Sequence, residues 1–208
     1  TLSLPLGPVG VVIGVDRHGE PVALRLARRR PLRVALVGGE WLTTLLAFRT
    51  LATGLRVALH TAAAPGQAWT TLVPWVAASG HRLTIDGRSP ANGLAGTPTA
   101  AEPLVEILDG RPDDRPANTP WRTRVTLVRR PAGAATALAD VDVVILQRLP
   151  AVESLAVSAT LRLADETAHL IAQLDDDMIA VVGGAADWYV WLSPTDTEVS
   201  LFGQPTLH

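Results

Sequence analysis

A strand that runs into two glycines constrains the fold more than any other feature of this chain. Residues 31–37 form an apolar run typical of a buried strand, and Gly38 and Gly39 follow it directly. Residues 40–53 then place apolar side chains three and four positions apart, which predicts a helix, and 56–60 predict a second strand. Nucleotide-binding α/β domains begin with this unit, because the glycines let a phosphate approach the start of the helix. We therefore expect an α/β fold: a Rossmann-like or P-loop-like three-layer sandwich with a mostly parallel central sheet.

The residues at this glycine turn complete no nucleotide-binding motif. A phosphate loop needs a lysine for the β- and γ-phosphates, and all 18 basic residues of this chain are arginines. The dinucleotide fingerprint G-x-G-x-x-G is not met, and His60 and Thr61 stand where that fold uses an acidic residue. Structural turn glycines are therefore favoured over a cofactor site. The alternative that stays open is a nucleotide cofactor in a cleft at Gly38, Gly39 and Thr61.

The rest of the pattern extends this unit into a single α/β domain over residues 1–208. An N-terminal β-hairpin is expected within 1–30 and a βα core within 31–175. A C-terminal β-hairpin is expected within 176–208, and the two hairpins add antiparallel edges to the sheet.

Inside the first predicted helix, Thr43, Thr44 and Arg49 fall mostly outside the apolar stripe that would lie on the sheet. The remaining segments are assigned from periodicity and from their Gly, Pro and Asn content. The expected elements are a helix at 68–78 kinked by Pro74, a strand at 81–85, a loop at 86–99, a helix at 100–108, a loop at 110–119, an edge-type strand at 121–129, a buried strand at 142–146, helices at 151–157 and 165–174, and a helical turn at 194–201.

Composition excludes several classes of function. The net charge of -2 and the pI of about 6.2 leave no basic field for nucleic acid. The chain has no cysteine, which removes disulfides, zinc-thiolate sites and cysteine nucleophiles. No run of 18 apolar residues occurs, so we expect no membrane span within this sequence. The absence of cysteine fits a reducing compartment, so we expect a cytoplasmic location. Because Thr1 replaces a starting methionine, the alternative is the soluble domain of a longer protein anchored in the inner membrane.

Acidic and nucleophilic residues elsewhere have the wrong spacing for catalysis or metal binding. Asp140 and Asp142 precede a buried strand, so they lie away from the crevice at the strand C-termini and are interpreted as polar caps. Residues 175–177 are three aspartates without the spacing of a calcium loop, typical of a solvated turn. The five histidines form no metal-binding pair, and no serine lies in G-x-S-x-G. We therefore assign no catalytic residue, no metal site and no cofactor.

Aromatic residues near the C-terminus point to a contact surface. The chain has six tryptophans but only two phenylalanines and one tyrosine. On a strand, Trp188 and Val190 would face one side, and Tyr189 and Trp191 the other. A terminal hairpin buries one face well, so we predict an interaction surface that involves Trp188, Tyr189 and Trp191. Helical register instead predicts core positions for Trp41 and Trp69.

Two groups of segments carry a resemblance to known families. Residues 14–26 followed by 31–39 resemble the hairpin and first core strand of FtsK-like motor ATPases, which include the EccC motor of type VII secretion. In those ATPases the strand enters a complete phosphate loop, whereas this chain continues G-G-E-W-L-T-T, so no nucleotide-binding residue is transferred. Residues 142–147, 161–166 and 188–194 resemble actinobacterial proteins associated with type VII secretion, most closely the cytosolic domain of EccE-like components. This resemblance implies a non-catalytic part of a secretion machine near the inner membrane.

Three hypotheses about function remain at this point. The first is a catalytically silent module on a degenerate nucleotide-binding fold, which works by protein contact through 188–191 and the loop 86–99. Its partners would be other components of a secretion machine. The second is a dinucleotide- or sugar-nucleotide-binding enzyme that uses the cleft at Gly38 and Gly39. The third is a structural subunit of a homo-oligomer.

Overall fold

A computed structural model describes residues 10–62, 64–86, 97–110, 119–129, 137–138, 140–183 and 187–205. The predicted contact loop 86–99 lies mostly outside these residues. The strands are β1 (Val11–Val15), β2 (Pro21–Leu24), β3 (Leu32–Val37), β4 (Arg56–Thr61), β5 (Leu83–Asp86), β6 (Leu104–Asp109), β7 (Arg122–Val128), β8 (Val143–Leu146), β9 (Met178–Val182) and β10 (Trp188–Trp191). The helices are α1 (Glu40–Ala52), α2 (Gln67–Ser79), α3 (Ala151–Leu161), α4 (Asp165–Ala172) and α5 (Asp196–Phe202).

All of these strands join one sheet in the order β2-β1-β10-β9-β8-β3-β7-β6-β4-β5. The six strands from β8 to β5 run parallel, and the four at the other side pair antiparallel. Helices cover both faces, α1, α2 and α5 on the first face and α3 and α4 on the second. The predicted α/β sandwich with a mostly parallel sheet is confirmed.

Both predicted hairpins lie at the same side of the sheet. Strand β10 pairs with β9 and also with β1, so the four antiparallel strands form one wing rather than two separate edges. The close approach of β1 to β10 depends on Gly14, because a Cβ there would overlap the carbonyl oxygen of Trp191. The wing therefore pairs a strand near the start of the described residues with a strand near their end.

The sequence interpretation was wrong for two segments in the middle of the sheet. Residues 104–109 form strand β6 instead of the end of a helix at 100–108, and 122–128 form an inner strand rather than an edge strand. Strand β7 lies between β3 and β6, so both of its edges are hydrogen-bonded. Arg124 on this strand is buried beside Glu106 on the neighbouring strand.

Helix α1 is enclosed on nearly all sides, which the apolar stripe did not predict. Thr43 and Thr44 are fully buried and donate their hydroxyl hydrogen bonds to the carbonyls of Gly39 and Glu40. Because these hydroxyls are hydrogen-bonded within the helix, burial of the two threonines does not carry the free-energy cost of an unpaired polar group. The enclosure arises because α2, α5 and strand β1 of the wing contact the same helix.

One ion pair holds the wing, α1 and α5 together. Arg49 on α1 donates to both carboxylate oxygens of Glu198 on α5, at 2.7 and 2.9 Å. It also donates to the carbonyls of Ile13 at 2.6 Å and Leu192 at 2.9 Å. Glu198 further completes a capping box with Thr195 at the start of α5. Arg49 was expected to lie outside the apolar stripe of α1, and in the structure its side chain joins α1 to α5 and to the wing by hydrogen bonds.

The predicted acidic cap lies at the N-terminal end of the parallel strands. The Asp142 carboxylate accepts a hydrogen bond from the Arg33 amide at 2.8 Å, and Asp140 forms an ion pair with the Arg33 side chain. Both aspartates lie at the N-terminal end of β8, as their position before the strand predicts. Among the described residues, no helix combines the length and apolar character that a bilayer crossing would need.

Candidate functional site

The β3–α1 turn lies at the C-terminal edge of the parallel sheet, where this type of fold binds its ligands. Strand β3 lies between β8 and β7, so the residues that follow these three strands meet at the turn. Gly39 has extended backbone angles and is the N-cap of α1. Its carbonyl accepts hydrogen bonds from both the amide and the hydroxyl of Thr43. A phosphate bound here would need amide hydrogens that point outward from the turn.

A glutamine from the neighbouring strand occupies the turn. Gln147 follows β8, and its Oε1 accepts the hydrogen bond of the Gly39 amide at 2.7 Å. The side chain is buried, at 2% exposure, and a Cβ on Gly38 would lie only 2.5 Å from the same oxygen. The Gly39 amide is therefore already bound to a neutral acceptor of this chain. The glycine at position 38 provides the space for that side chain.

A carboxylate fills the other side of the turn. Glu40 reaches from the first turn of α1 to Gly66, the N-cap of α2, where a Cβ would overlap both carboxylate oxygens. An acidic group at the start of a helix is favourable because the helix dipole is positive there. The sequence interpretation placed Glu40 at the start of its own helix, and the structure adds the start of α2. An anionic ligand would meet a negative charge at this position.

One arginine at this edge is paired with a carboxylate. Arg129, which follows β7, donates to both oxygens of Asp109 at 3.0 and 2.8 Å. These hydrogen bonds and the charge of Asp109 raise the pKa of Arg129, and the charge of Glu40 adds to the effect. An Arg–carboxylate fork of this geometry uses two of the five guanidinium N–H donors and offsets the positive charge that could otherwise attract a phosphate.

The Trp41 side chain packs against the end of helix α5. The indole is 4% exposed, and its Nε1 donates to the Gly203 carbonyl at 3.1 Å. Beside it lies a groove of about 500 Å³ between the starts of α1 and α2 and the end of α5. The described residues that line the groove include one acidic side chain and no basic one; they are Glu40, Trp41, Gln67, Ala68, Thr71, Leu201, Phe202 and Gly203. Its charge does not suit a phosphate.

The residues of the alternative cofactor cleft lie apart. Gly38 and Gly39 follow β3, whereas Thr61 ends β4, and the order β3-β7-β6-β4 separates the two strands by three positions. At about 4.8 Å per strand, this separation is about 14 Å. Two strands that come later in the sequence cause it, since β6 and β7 insert between β3 and β4. Thr61 is buried, at 1% exposure.

A buried charged cluster on the second face of the sheet was not predicted. Glu106 on β6 is 1% exposed and lies 3.4 Å from Arg124 and 3.7 Å from Arg122, both on β7. Nε2 of His60 on β4 lies 3.7 Å from the other carboxylate oxygen. Within the described segments, no three acidic or histidine side chains converge in a way that could hold a metal ion. The cluster pairs charges between neighbouring strands of the sheet.

The predicted aromatic surface is partly exposed. Trp188 is 45% exposed, Tyr189 and Trp191 are half-buried, and Val190 between them is fully buried. Burial raises the pKa of the Tyr189 phenol, although a hydrogen bond with Thr167 opposes that effect. Trp41 and Trp69 are core residues, as their helical register predicts.

The comparisons with known proteins agree with this architecture. The sequence matches no family model and no curated protein. VirB4 of Thermoanaerobacter pseudethanolicus is similar in structure, with a TM-score of 0.65 and 9% identity over 93% of this chain and 98% of that chain. The pCW3 conjugation coupling protein TcpA, solved with ATPγS, has a TM-score of 0.52 and 12% identity over 90% and 66%. The genome packaging NTPase B204 from Sulfolobus turreted icosahedral virus 2 has a TM-score of 0.50 and 10% identity over 78% and 96%.

This chain has a P-loop ATPase type of fold. The expected resemblance to motor ATPases is therefore confirmed at the level of the fold. Sequence identity of 9 to 12% transfers no site residue and no activity. Gln147 and Gly66 at the turn were missed by the sequence interpretation. Gln147 had a usable signal, since it is the first polar residue after a buried strand that was expected in the same parallel sheet.

Proposed function

We propose that this chain is a non-catalytic scaffold component of a secretion machine, of the type VII kind that its sequence resembles, and that it works by protein contact. The observation that carries the proposal is the occupied β3–α1 turn. Gln147 binds the Gly39 amide at 2.7 Å, and the Glu40 carboxylate lies at the start of α2. The chain thus keeps the frame of an ATPase while its own side chains take the place of a nucleotide.

The chemistry of phosphate binding supports this proposal. A bound triphosphate brings several negative charges, which ATPases of this fold neutralise with a loop lysine, backbone amides and a metal ion. This chain has no lysine. Arg129, which follows β7, is already paired with Asp109, and Arg148, which follows β8, is paired with Asp176. Glu40 adds repulsion at the same edge. Each of these features alone weakens binding, and together they remove the attraction on which affinity for a nucleotide depends.

The structural neighbours support a role within a larger assembly. They are named as VirB4, a conjugation coupling protein and a genome packaging NTPase. A domain that keeps their fold without their chemistry is suited to bind such machines or to complete them. The wing offers one surface for contact, because nearly half of the Trp188 side chain is exposed. Tryptophan side chains often contribute much of the binding energy when a partner protein buries them.

Calorimetry with ATP, GTP, NAD and a sugar nucleotide, each with Mg²⁺, tests the silent site. We expect no heat of binding for the full chain with any of the four. A second titration uses the Glu40→Gln variant, which removes the charge but keeps the size of the side chain. We expect no binding there either, because Gln147 still occupies the turn. Micromolar affinity of the unmodified chain for any of these ligands would instead support the nucleotide-binding enzyme.

Complementation in the native host tests the scaffold role. Deletion of the gene should stop secretion, and the Glu40→Gln variant should restore it. The Trp188→Ser variant should fail to restore secretion, whereas the matched Val73→Ser variant, at an exposed position on α2, should succeed. Normal secretion by the deletion strain would refute the proposed role.

A further inference from the structure

The outward face of α3 is apolar. Val152 is 80% exposed and Leu155 is 51% exposed, which makes them two of the six large hydrophobic side chains exposed in the described part of the chain. Ala156 and Ala159 are exposed on the same face, at helical spacings of three and four from the others. These four residues are called the α3 surface below.

The distribution of side chains on α3 is the reverse of that on an ordinary surface helix, whose outward face is charged or polar. Its outward positions carry alanine, valine and leucine, whereas Ser154 and Ser158 face the core and are buried. The Ser154 hydroxyl donates to the Ala168 carbonyl on α4 at 2.5 Å, so a polar contact holds the two helices together. The only charged residue within α3 is Glu153, and it is half-buried. A helix that is apolar on its outer side is normally covered by another element.

The surroundings of the α3 surface are acidic. Residues 148–177 contain six acidic side chains and two arginines, one of which, Arg148, is paired with Asp176 at 2.8 Å, whereas the whole chain has a net charge of only -2. Asp165 and Glu166 at the start of α4 are exposed, and so is Asp175 beyond its end. Leu170 on α4 adds a further apolar side chain at 48% exposure. The apolar surface therefore lies within a negatively charged helical pair.

We propose that the α3 surface binds an amphipathic helix of a partner protein, with an apolar stripe that faces Val152 and Leu155 and with arginine or lysine on its flanks. Two exposed alanines let a helix backbone approach closely, and the apolar residues at spacings of three and four match one face of a second helix. The acidic surroundings select basic flanks by charge complementarity. The partner class deepens the proposed function and rests on its protein-contact part, not on the silent nucleotide site.

Charge argues against two other occupants. A bacterial membrane surface is anionic, so the acidic helices would be repelled from it. A second copy of this chain that packed α3 against α3 in a symmetric pair would bring two acidic regions together. Both alternatives predict results that the following experiment can distinguish.

Fluorescence anisotropy with the full chain tests the docking. The probe is a labelled peptide of about 18 residues, about 27 Å long as a helix, with leucine and alanine along one face and arginine on both flanks. One control peptide replaces each arginine with glutamate, and another scrambles the order. The protein variants are Val152→Glu and Leu155→Glu, and the matched control is Val73→Glu on the exposed side of α2. Circular dichroism verifies that each variant is folded, and a change at Val152 is well tolerated because that side chain is mostly in solvent.

We expect saturable binding of the arginine-flanked peptide, weakened about tenfold or more by Val152→Glu or Leu155→Glu and unchanged by Val73→Glu. Binding should weaken as salt rises, because the flanks contribute by charge. Equal binding of the glutamate-flanked peptide, no binding of the basic peptide, or full affinity in the Val152→Glu variant would each overturn the proposal. Binding to vesicles with anionic lipid, or a dimer abolished by Val152→Glu, would overturn it in favour of a membrane or a second copy. Calorimetry with nucleotides tests the silent site separately, so the two proposals can fail independently.

Discussion

Removal of the Arg49 side chain should destabilise the whole chain, because this residue joins three parts of the fold. In the Arg49→Met variant the aliphatic portion of the side chain remains, while four hydrogen bonds are lost. Two of them bind the Glu198 carboxylate, and the other two bind the carbonyls of Ile13 and Leu192. Glu198 is 3% exposed, so the variant leaves a buried negative charge without its partner.

The magnitude follows from the burial of the pair. Removal of one partner from a buried ion pair costs about 3–5 kcal/mol. The Arg49 side chain is 13% exposed, so water can partly replace it, and we expect the lower end of that range, about 3 kcal/mol. A loss of this size is a large share of the total stability of a typical domain. In a double-mutant cycle with Glu198→Gln, the coupling should be about 1–3 kcal/mol.

Urea denaturation followed by tryptophan fluorescence measures this change in the free energy of unfolding. The matched control is Arg29→Met, since Arg29 is exposed, and it should change stability by less than about 0.5 kcal/mol. A loss of less than about 1 kcal/mol in Arg49→Met would refute the idea that Arg49 holds these elements together.

The same pair predicts a dependence of stability on pH. Burial tends to raise the pKa of Glu198, but the hydrogen bonds from Arg49 and from the Thr195 amide outweigh it, so the pKa lies below its usual value of 4.5. A depressed pKa in the folded state means that the carboxylate stabilises the fold above pH 4.5, and that this contribution is lost as the pH falls further. The unmodified chain should therefore lose more stability than Glu198→Gln between pH 5 and pH 3. Parallel curves for the two proteins would contradict the assignment.

Three further predictions concern single positions. Gly14→Ala should destabilise the chain by about 2–3 kcal/mol, because the new Cβ overlaps the backbone of Trp191 and β1 must move away from β10; denaturation should show it, and a change below about 1 kcal/mol would contradict it. Gly38→Ala should cost about 1–2 kcal/mol because it displaces Gln147, and the Gly39 amide should then exchange its hydrogen faster; unchanged exchange would count against the occupied turn. Tyr189 is the only tyrosine, so ultraviolet absorbance titration should report its pKa above the ordinary value of 10.0, chiefly because of burial; a value at or below 10.0 would contradict its packing.

The fold was predictable from sequence where apolar periodicity decided it. The buried run of β8, the helix after Gly39 and the two antiparallel hairpins are all found where the pattern places them. The pattern failed at β6, because a short apolar run of strand length can also be read as the end of a helix. The pattern also did not predict the order of the strands, which places β7 between β3 and β6 and buries Arg124 beside Glu106, 18 residues away on the preceding strand.

The sequence predicted only part of the candidate site. A missing lysine and the residues after Gly39 exclude a phosphate loop, and that conclusion needs no coordinates. The contact at this turn depends on the tertiary structure, because Gln147 lies 108 residues from Gly39 in the chain. No local pattern marks Gly66 as the position that receives the Glu40 carboxylate.

The contact with Gln147 also satisfies the backbone of the turn. A buried amide must have an acceptor, and in a nucleotide-binding protein the phosphate can serve in that role. Here Oε1 of Gln147 accepts from the Gly39 amide, so the turn is satisfied in the free protein. A ligand that binds only the folded state raises the melting temperature. At this turn the Gly39 amide is already hydrogen-bonded to Gln147, and Arg129 is already paired with Asp109. Millimolar ATP with Mg²⁺ should therefore leave the Tm of the full chain unchanged in differential scanning fluorimetry, and a rise of several degrees would show that the side chains at the turn yield to a ligand.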